Sequence, residues 1–288
     1  MASVIAVTGA SGRVGGRVAH RLAGRGVKTR LLGRDPARLP DLPGAEKAGP
    51  APYGDGEAMR RALDGADTLL LVSAHESADR VQQHRTAIDA ALAAGVQRIV
   101  YVSFLGAAPQ AVFTFARDHW HTERYLEAQG VPHTFLRDSW YLSGLPAMTG
   151  ADGVLRGPAG TGRVAAVDHA DIADVAAAVL LDDGAHDGAV YDVTGEEALT
   201  LAEVAEELSR AAGRAVRYVP ETRAEAYASR EGYGAEHWEV TGWVTSYEAI
   251  AAGEMSTVAD TVRRLAGRAP LTLREYLAAH PESWAHLV

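Results

Sequence analysis

The chain has 288 residues, 47% hydrophobic and 23% charged, with a formal net charge of -9, which is an ordinary globular composition with length for one large α/β domain or two unequal lobes. It has no cysteine, which excludes disulfides, a thiolate nucleophile and cysteine-ligated zinc. Because it has no block of Lys or Arg, no apolar run of roughly 18 residues and no secretory signal, we expect no nucleic-acid or membrane partner and a cytoplasmic location.

The first half of the chain alternates short apolar runs with stretches of helical periodicity. The apolar runs predict strands at 4–7, 27–32, 68–72, 98–103 and 133–137, with a weak additional strand before Asp55. The helical periodicity begins with Val14, Val18 and Leu22 and returns at 57–63, 78–94 and 116–129. Because parallel strands need crossover helices, this alternation predicts an α/β fold with a Rossmann-type, doubly wound parallel sheet.

After about Ser139 the alternation loosens. The segment 143–162 is rich in Gly and Pro and is predicted to be a surface excursion, followed by helices at 171–181 and 200–212 and a short strand at 216–219. We therefore predict a dinucleotide-binding domain over residues 1–140. Residues 141–288 are predicted to form a smaller, mostly helical substrate-binding lobe, some of whose segments return to the sheet.

Three glycines punctuate the first predicted turn from strand to helix. Gly9, Gly12 and Gly15 are spaced G-x-x-G-x-x-G within Thr8-Gly9-Ala10-Ser11-Gly12-Arg13-Val14-Gly15. A pyrophosphate needs close approach of the backbone and the N–H groups of a helix amino terminus, and this turn offers both. The alternative is a tight turn that binds no ligand. We expect that it binds a nicotinamide dinucleotide.

The choice of coenzyme depends on the end of the second strand, where NAD-binding proteins place an acidic residue for the ribose 2′-hydroxyl. This chain has Arg34 there instead, and a guanidinium can bind a 2′-phosphate through two N–H groups. Arg13 is placed to hold the same phosphate, and Asp35, followed by Pro36, is interpreted as a helix cap. We therefore predict NADP(H) in preference to NAD(H), with a solvated loop arginine as the alternative for Arg34.

These residues together resemble the NmrA-like group of atypical short-chain dehydrogenases/reductases, in particular its quinone oxidoreductase and triphenylmethane reductase types. The turn TGASGRVG is similar to the group's TGATGxxG, and Arg34 matches its basic residue after the second strand. Further matches are His119-Trp120-His121-Thr122-Glu123 to H-x-x-T-E, and 133–141 to Y-T-(F/L)-L-R-N with a following aromatic. The carboxy-terminal half matches loosely, through Thr241-Gly242-Trp243 and 271–277.

The chain departs from the catalytic signature of the wider superfamily, Y-x-x-x-K with a Glu four residues later. Anchoring that signature on Glu123 places Phe115 at the tyrosine and His119 at the lysine. Because phenylalanine donates no proton, the resemblance implies a hydride acceptor that stabilises the incoming charge itself, such as a quinone or a cationic dye. In such a reaction the protein mainly aligns the nicotinamide and a flat acceptor.

The resemblance also implies roles for individual residues. The predicted cofactor-binding residues are Gly9, Ser11, Gly12, Arg13, Val14, Gly15, Arg34, Asp55, Val72, Ser73, Ala74, Ser103, Phe104 and His119. For Asp55, binding the adenine amino group and capping the next helix are equally compatible with the sequence. For Ser103, a local turn hydrogen bond is an equal alternative.

His119 and Ser103 are the candidate catalytic residues, and the alternative for His119 is a histidine partnered within the fold. The candidate acceptor-binding residues are Trp140, Tyr141, Trp243 and Tyr247, with core packing as their alternative. His169, between Asp168 and Asp171, is better explained by helix capping than by a metal, and we expect no metal site.

Three functional hypotheses follow from the sequence. The first is an NADPH-dependent reductase of a quinone-like or other conjugated small-molecule acceptor. The second is a reductase of a specialised biosynthetic intermediate. The third is an NAD(P)-binding sensor that regulates a protein partner without turnover, as NmrA itself does. A homodimer is compatible with each of them.

Overall fold

The computed structural model describes residues 3–182 and 184–288. The strands are β1 Ile5–Val7, β2 Thr29–Leu32, β3 Ala45–Ala48, β4 Thr68–Val72, β5 Arg98–Phe104, β6 His133–Asp138, β7 Val154–Gly157, β8 Arg163–Val164, β9 Val190–Val193, β10 Leu199–Thr200 and β11 Arg217–Pro220. The helices are α1 Arg13–Gly24, α2 Gly56–Leu63, α3 Arg80–Ala93, α4 Thr114–Ala128, α5 Gly144–Ala147, α6 His169–Leu181, α7 Leu201–Ala212, α8 Arg223–Ala228, α9 His237–Ala251, α10 Thr261–Ala266 and α11 Leu273–Ala279.

A seven-stranded sheet has the order β3-β2-β1-β4-β5-β6-β9. The pairs from β3 through β5 are parallel. At the far edge, Phe135 N donates to Ala189 O and Ser139 N donates to Val193 O. Both partners move four residues forward in sequence between the two bonds, so β6 and β9 are parallel as well. The order reverses between β1 and β4, as in a doubly wound sheet. The predicted fold class is confirmed.

The elements form where the apolar pattern requires them. Leu69, Leu70 and Leu71 of β4 are fully buried, as expected for a strand covered on both faces. Val14, Val18 and Leu22 bury one face of α1, and α3 ends ahead of Gly95, whose positive φ of 87° suits a left-handed residue after a helix.

The chain folds into two compact units, each built from separate segments. The first consists of Met1–Phe104, Asp118–Arg137 and His169–Asp192, and in it α1 packs on α6 and α2 on α3. The second consists of Leu105–Arg117, Asp138–Asp168 and Val193–Val288, and in it α7 packs on α11 and α8 on α9. Two small sheets, β7 with β11 and β8 with β10, also belong to the second unit.

The segment 143–162 corrects one expectation from the sequence, because it is not a surface excursion. It contains α5 and β7, and Leu145, Val154 and Leu155 are buried. β7 pairs in parallel with β11, some sixty residues later in the chain, as in the register Val154 to Arg217. Gly153 and Gly160 have positive φ between its elements, but Gly144 and Pro146 lie within α5, and the pairing of β7 depends on a distant strand.

In the part of the chain that the structure describes, no helix has both the length and the apolar character needed to cross a membrane.

Candidate active site

The turn between β1 and α1 leaves no room for side chains at its glycines. Gly9 has a φ of 60°, in the left-handed region that glycine adopts without strain. A Cβ on Gly15 would lie 2.5 Å from the Gly9 carbonyl oxygen and 2.6 Å from that of Thr8, and one on Gly12 would lie 3.1 Å from the former oxygen. The backbone therefore folds back on itself as closely as glycine allows.

The same turn fits the diphosphate of a dinucleotide. The first turn of α1 carries no acidic side chain, and its N-cap is Gly12, which has no side chain to occupy the helix N–H groups. The first N–H groups of a helix have no partner within the helix and favour an anion. Ser11, Gly12 and Arg13 are exposed, whereas Val14 and Gly15 are buried against the fold.

Thr8 ties this turn to the end of β4. Its hydroxyl donates to the Leu70 carbonyl at 3.1 Å and accepts from the Val72 N–H at 2.9 Å. The Tyr53 hydroxyl lies 2.5 Å from both Thr8 Oγ1 and the Val72 carbonyl oxygen. Burial raises the pKa of Tyr53, so this phenol stays protonated and acts as a structural donor. The turn is therefore held rigidly against the neighbouring strand.

The residues after β2 include an exposed cation. Arg34 is exposed and has no ion-pair partner within residues 3–182 and 184–288. Asp35 accepts a hydrogen bond of 3.0 Å from the Ala37 N–H and caps the turn Pro36–Arg38, which confirms its interpretation as a cap. Asp55 accepts from the Ala58 N–H at 3.0 Å as the N-cap of α2, so one of its two alternatives is realised in the fold.

At the end of β5, Ser103 is fully buried and joined to an ion pair. Its hydroxyl donates to Glu123 Oε1 at 2.6 Å. Arg137 binds both oxygens of that carboxylate, through Nε at 2.8 Å and Nη2 at 2.6 Å, and this contact raises the pKa of Arg137. The Ser103 hydroxyl therefore does not donate to the local backbone. Its hydrogen is also not available to a ligand, because it is bonded to Glu123.

His119 lies within the same unit and is buried. Its Nδ1 is 2.9 Å from the Tyr101 hydroxyl, and its ring centroid is 5.9 Å from that of Phe104. Burial, followed by the charge of Arg80, holds the pKa of His119 well below its usual range, and burial raises that of Tyr101. The imidazole is therefore neutral in the physiological range, and the tyrosine is a poor acid. His121, on the same helix, is exposed.

A cavity of about 610 Å³ lies within the second unit. Trp243 and Tyr247 line it, together with Met148, Arg156, Arg230 and Tyr233. Trp140 packs edge-on against the ring of Tyr247, with centroids 5.2 Å apart. Tyr141 instead donates from its hydroxyl to Asp138 Oδ2 at 3.0 Å and is not among the lining residues. Two of the four candidate acceptor-binding residues therefore line this cavity, and a third, Trp140, packs on one of them.

Phe115 takes part in packing within the second unit. A Cβ at Gly242, in α9, would lie 2.3 Å from Phe115 Cζ, so the end of the phenyl ring lies directly over the backbone of that helix. Trp238, on the same helix, packs edge-on against it, at 5.9 Å between centroids. Phe115, which the sequence analysis expects at the place of the superfamily's tyrosine, therefore fills space against α9.

His169 is the first residue of α6, and Asp171 lies in its first turn, where helices favour acidic groups. Among the described residues, no group of three or more His, Cys, Asp or Glu side chains is arranged to hold a metal ion.

A doubly wound parallel sheet with a glycine-lined turn at the amino terminus of its first helix defines a Rossmann-type dinucleotide-binding protein. The NmrA-like family matches residues 1–277, and the chain belongs to that family. The family resemblance inferred from the sequence is confirmed.

Curated relatives and a solved structure cover nearly the whole chain. Quinone oxidoreductase 2 of Escherichia coli is 34% identical over 279 residues, covering 94% of this chain and 96% of the relative. The (4-alkanoyl-5-oxo-2,5-dihydrofuran-3-yl)methyl phosphate reductase of Streptomyces griseus is 35% identical, covering 98% and 99%. The crystal structure of the NADPH-dependent quinone oxidoreductase QOR2 of Escherichia coli with NADPH superposes with a TM-score of 0.87 at 33% identity, covering 96% and 99%.

Proposed function

We propose that this protein is an NADPH-dependent reductase that passes hydride to a quinone-like or other conjugated acceptor. The observation that carries the proposal is the β1–α1 turn, where glycines leave the helix amino terminus open to a diphosphate. The relatives named above, a quinone oxidoreductase and the reductase of a substituted dihydrofuranyl methyl phosphate, support a reductase rather than a sensor without turnover.

The proposed cofactor contacts belong to the amino-terminal dinucleotide-binding domain, residues 1–140. Gly9, Gly12 and Gly15, with Ser11, Arg13 and Val14 between them, would hold the diphosphate. Arg34, exposed and without an ion-pair partner in the described part of the chain, would bind the 2′-phosphate, which is the basis for preferring NADPH. The ends of β4 and β5, 72–74 and 103–104, and His119 would surround the nicotinamide.

The proton for the acceptor comes from solvent in this proposal. When bound, a reduced nicotinamide supplies hydride. His119 is neutral, Tyr101 has a raised pKa, and the hydrogen of Ser103 is bonded to Glu123, so none of these groups is a ready acid. With Phe115 and His119 at the places of the superfamily's tyrosine and lysine, carbonyl reduction would lack its usual proton donor. A conjugated acceptor that delocalises the incoming charge needs none.

The acceptor would be bound by residues 141–288 and Trp140. The cavity of the second unit offers the faces and edges of Tyr233, Trp243 and Tyr247, which suit stacking against a flat, conjugated molecule.

The experiment combines coenzyme binding with turnover. Titration should show tighter binding of NADPH than of NADH, and a panel of small quinones should be reduced with oxidation of NADPH. Arg34→Ala should weaken NADPH binding by about 10- to 150-fold, corresponding to about 1.5–3 kcal/mol for a charge-assisted contact, and leave NADH nearly unchanged. Arg38→Ala, which removes an exposed arginine from the following turn, is the matched control.

Equal loss of both coenzymes in Arg34→Ala would reject the 2′-phosphate assignment. Stoichiometric binding without oxidation across the panel would favour the sensor. If neither reduced coenzyme bound, the proposed function would be wrong.

A further inference from the structure

Resting on the proposed function, we infer that His84 is a positioning residue for the cofactor site. It is fully buried in α3 and joins the end of β4 to α4, the helix that carries His119. Its Nε2 lies 2.8 Å from the Ala74 backbone nitrogen, and its Nδ1 lies 2.8 Å from Thr122 Oγ1. Both ring nitrogens are therefore used within the first unit.

The hydrogen bonds around His84 run in a single direction. The backbone N–H of Ala74 can only donate, so Nε2 accepts and carries no hydrogen. Burial, followed by the charge of Arg80, lowers the pKa of His84 to about 3, so the ring is neutral and its one hydrogen is on Nδ1. Nδ1–H donates to Thr122, whose own hydroxyl donates to the Asp118 carbonyl at 2.8 Å. The donor N–H of Ala74 therefore fixes His84 as the tautomer that carries its hydrogen on Nδ1.

Arg80, one helical turn before His84, holds the other side of the same peptide segment. It is almost fully buried, its Nε donates to the Ala74 carbonyl at 2.9 Å, and its Nη1 is 4.0 Å from Asp118 Oδ2. Residues four apart lie on one face of a helix, so α3 holds both backbone polar atoms of Ala74. The single N–H of Ala74 is therefore used within the fold, whereas its carbonyl oxygen, which has two lone pairs, accepts one hydrogen bond from Arg80.

This clamp, consisting of Arg80, His84 and Thr122, connects two parts of the proposed nicotinamide site. One part is Ala74, two residues after the end of β4, and the other is the stretch of α4 that contains His119, between Asp118 and Thr122. Pre-set geometry lowers the ordering that a ligand must bring about when it binds. We therefore expect the bond from Ala74 to His84 to determine coenzyme affinity, and the bond from His84 to Thr122 to matter less.

Two amide substitutions separate these bonds. In His84→Gln the side-chain oxygen reaches the place of Nε2 and still accepts from Ala74, whereas in His84→Asn the side-chain nitrogen reaches the place of Nδ1 and still donates to Thr122. Each variant buries an amide and loses one partner, so both should unfold at similarly lowered urea concentrations. The dissociation constant for NADPH should stay close to wild type in His84→Gln and rise by about tenfold in His84→Asn.

Equal loss of affinity in the two variants, or a greater loss in His84→Gln, would show that His84 acts through stability alone and would overturn the inference. Hydrogen exchange of the wild-type Ala74 amide gives a measurement without substitution. That amide should exchange slowly before NADPH is added and change little afterwards, and protection that arises only with NADPH would also overturn the inference. If wild type bound neither coenzyme, the proposed function would fall first, and this inference with it.

Discussion

Two buried histidines make the stability of this protein sensitive to mild acid. His84 has its pKa lowered to about 3, first by burial and then by the charge of Arg80, and the pKa of His119 is lowered in the same direction. In the unfolded chain a histidine titrates near 6.5. Between these values the unfolded state binds a proton that the native state does not, so the contribution is complete above about pH 6.5 and is lost as the pH falls toward 3.

The magnitude follows from that difference in proton binding. Lowering the pH from 7 to 5 should remove about 2 kcal/mol of the free energy of unfolding through His84. This window lies above the range in which most carboxylates titrate. In His84→Gln the titrating group is gone, so the loss of stability between pH 7 and pH 5 should be smaller than in wild type by about the same 2 kcal/mol.

The assay is urea unfolding at both pH values, followed by far-ultraviolet circular dichroism. The quantity compared is the change between the two pH values within each protein, so the cost of the substitution itself cancels. His121→Gln, which removes an exposed histidine, is the matched control. If His84→Gln lost as much stability as wild type on acidification, the native state would already bind that proton, and a buried neutral imidazole at this place would be ruled out.

Two further predictions test packing at the site. Gly15→Ala should abolish NADPH binding and lower the thermal midpoint, because its Cβ would lie 2.5 Å from the Gly9 carbonyl oxygen. Gly24→Ala is the control: it lies later in the same helix, its Cβ would have no atom within 4 Å, and it should stabilise the protein by about 0.5–1 kcal/mol. Coenzyme titration and thermal unfolding check both, and wild-type affinity in Gly15→Ala would contradict the close-packed turn. Phe115→Tyr should cost about 1–3 kcal/mol, since its hydroxyl would press on α9 at Gly242, and should not speed quinone reduction. Urea unfolding and the rate of NADPH oxidation decide this, and a large gain in rate would show that supply of a proton limits the reaction.

The cofactor half of the fold could be predicted from the sequence because its signals are local. The run at 68–72 coincides with β4, and the glycine spacing at Gly9, Gly12 and Gly15 coincides with a turn that excludes side chains. Asp35 before Pro36 indicated a cap, which the structure shows. Each of these patterns expresses a requirement of the residues themselves, through burial, conformation or hydrogen bonding to near neighbours.

The buried polar partners could not be predicted in the same way. Ser103 and Glu123 were both recognised as family positions, but their bond to each other, and that of Glu123 to Arg137, joins separate elements. Arg80 and His84 carried no motif. The one available signal was their spacing of four on a helix whose other inward positions are Ala and Ile, which places two polar groups on a buried face.

The amino-acid order by itself determined the alternation of strands and helices, the open phosphate turn and the cation after β2, since each follows from contacts within a few residues. Only the tertiary structure decided that Phe115 fills space against α9, that 143–162 is buried by β11, and that Ala74 is held by a histidine of fixed tautomer. These features depend on groups brought together from distant parts of the chain, and a buried hydrogen bond or a close contact exists only once both partners are in place.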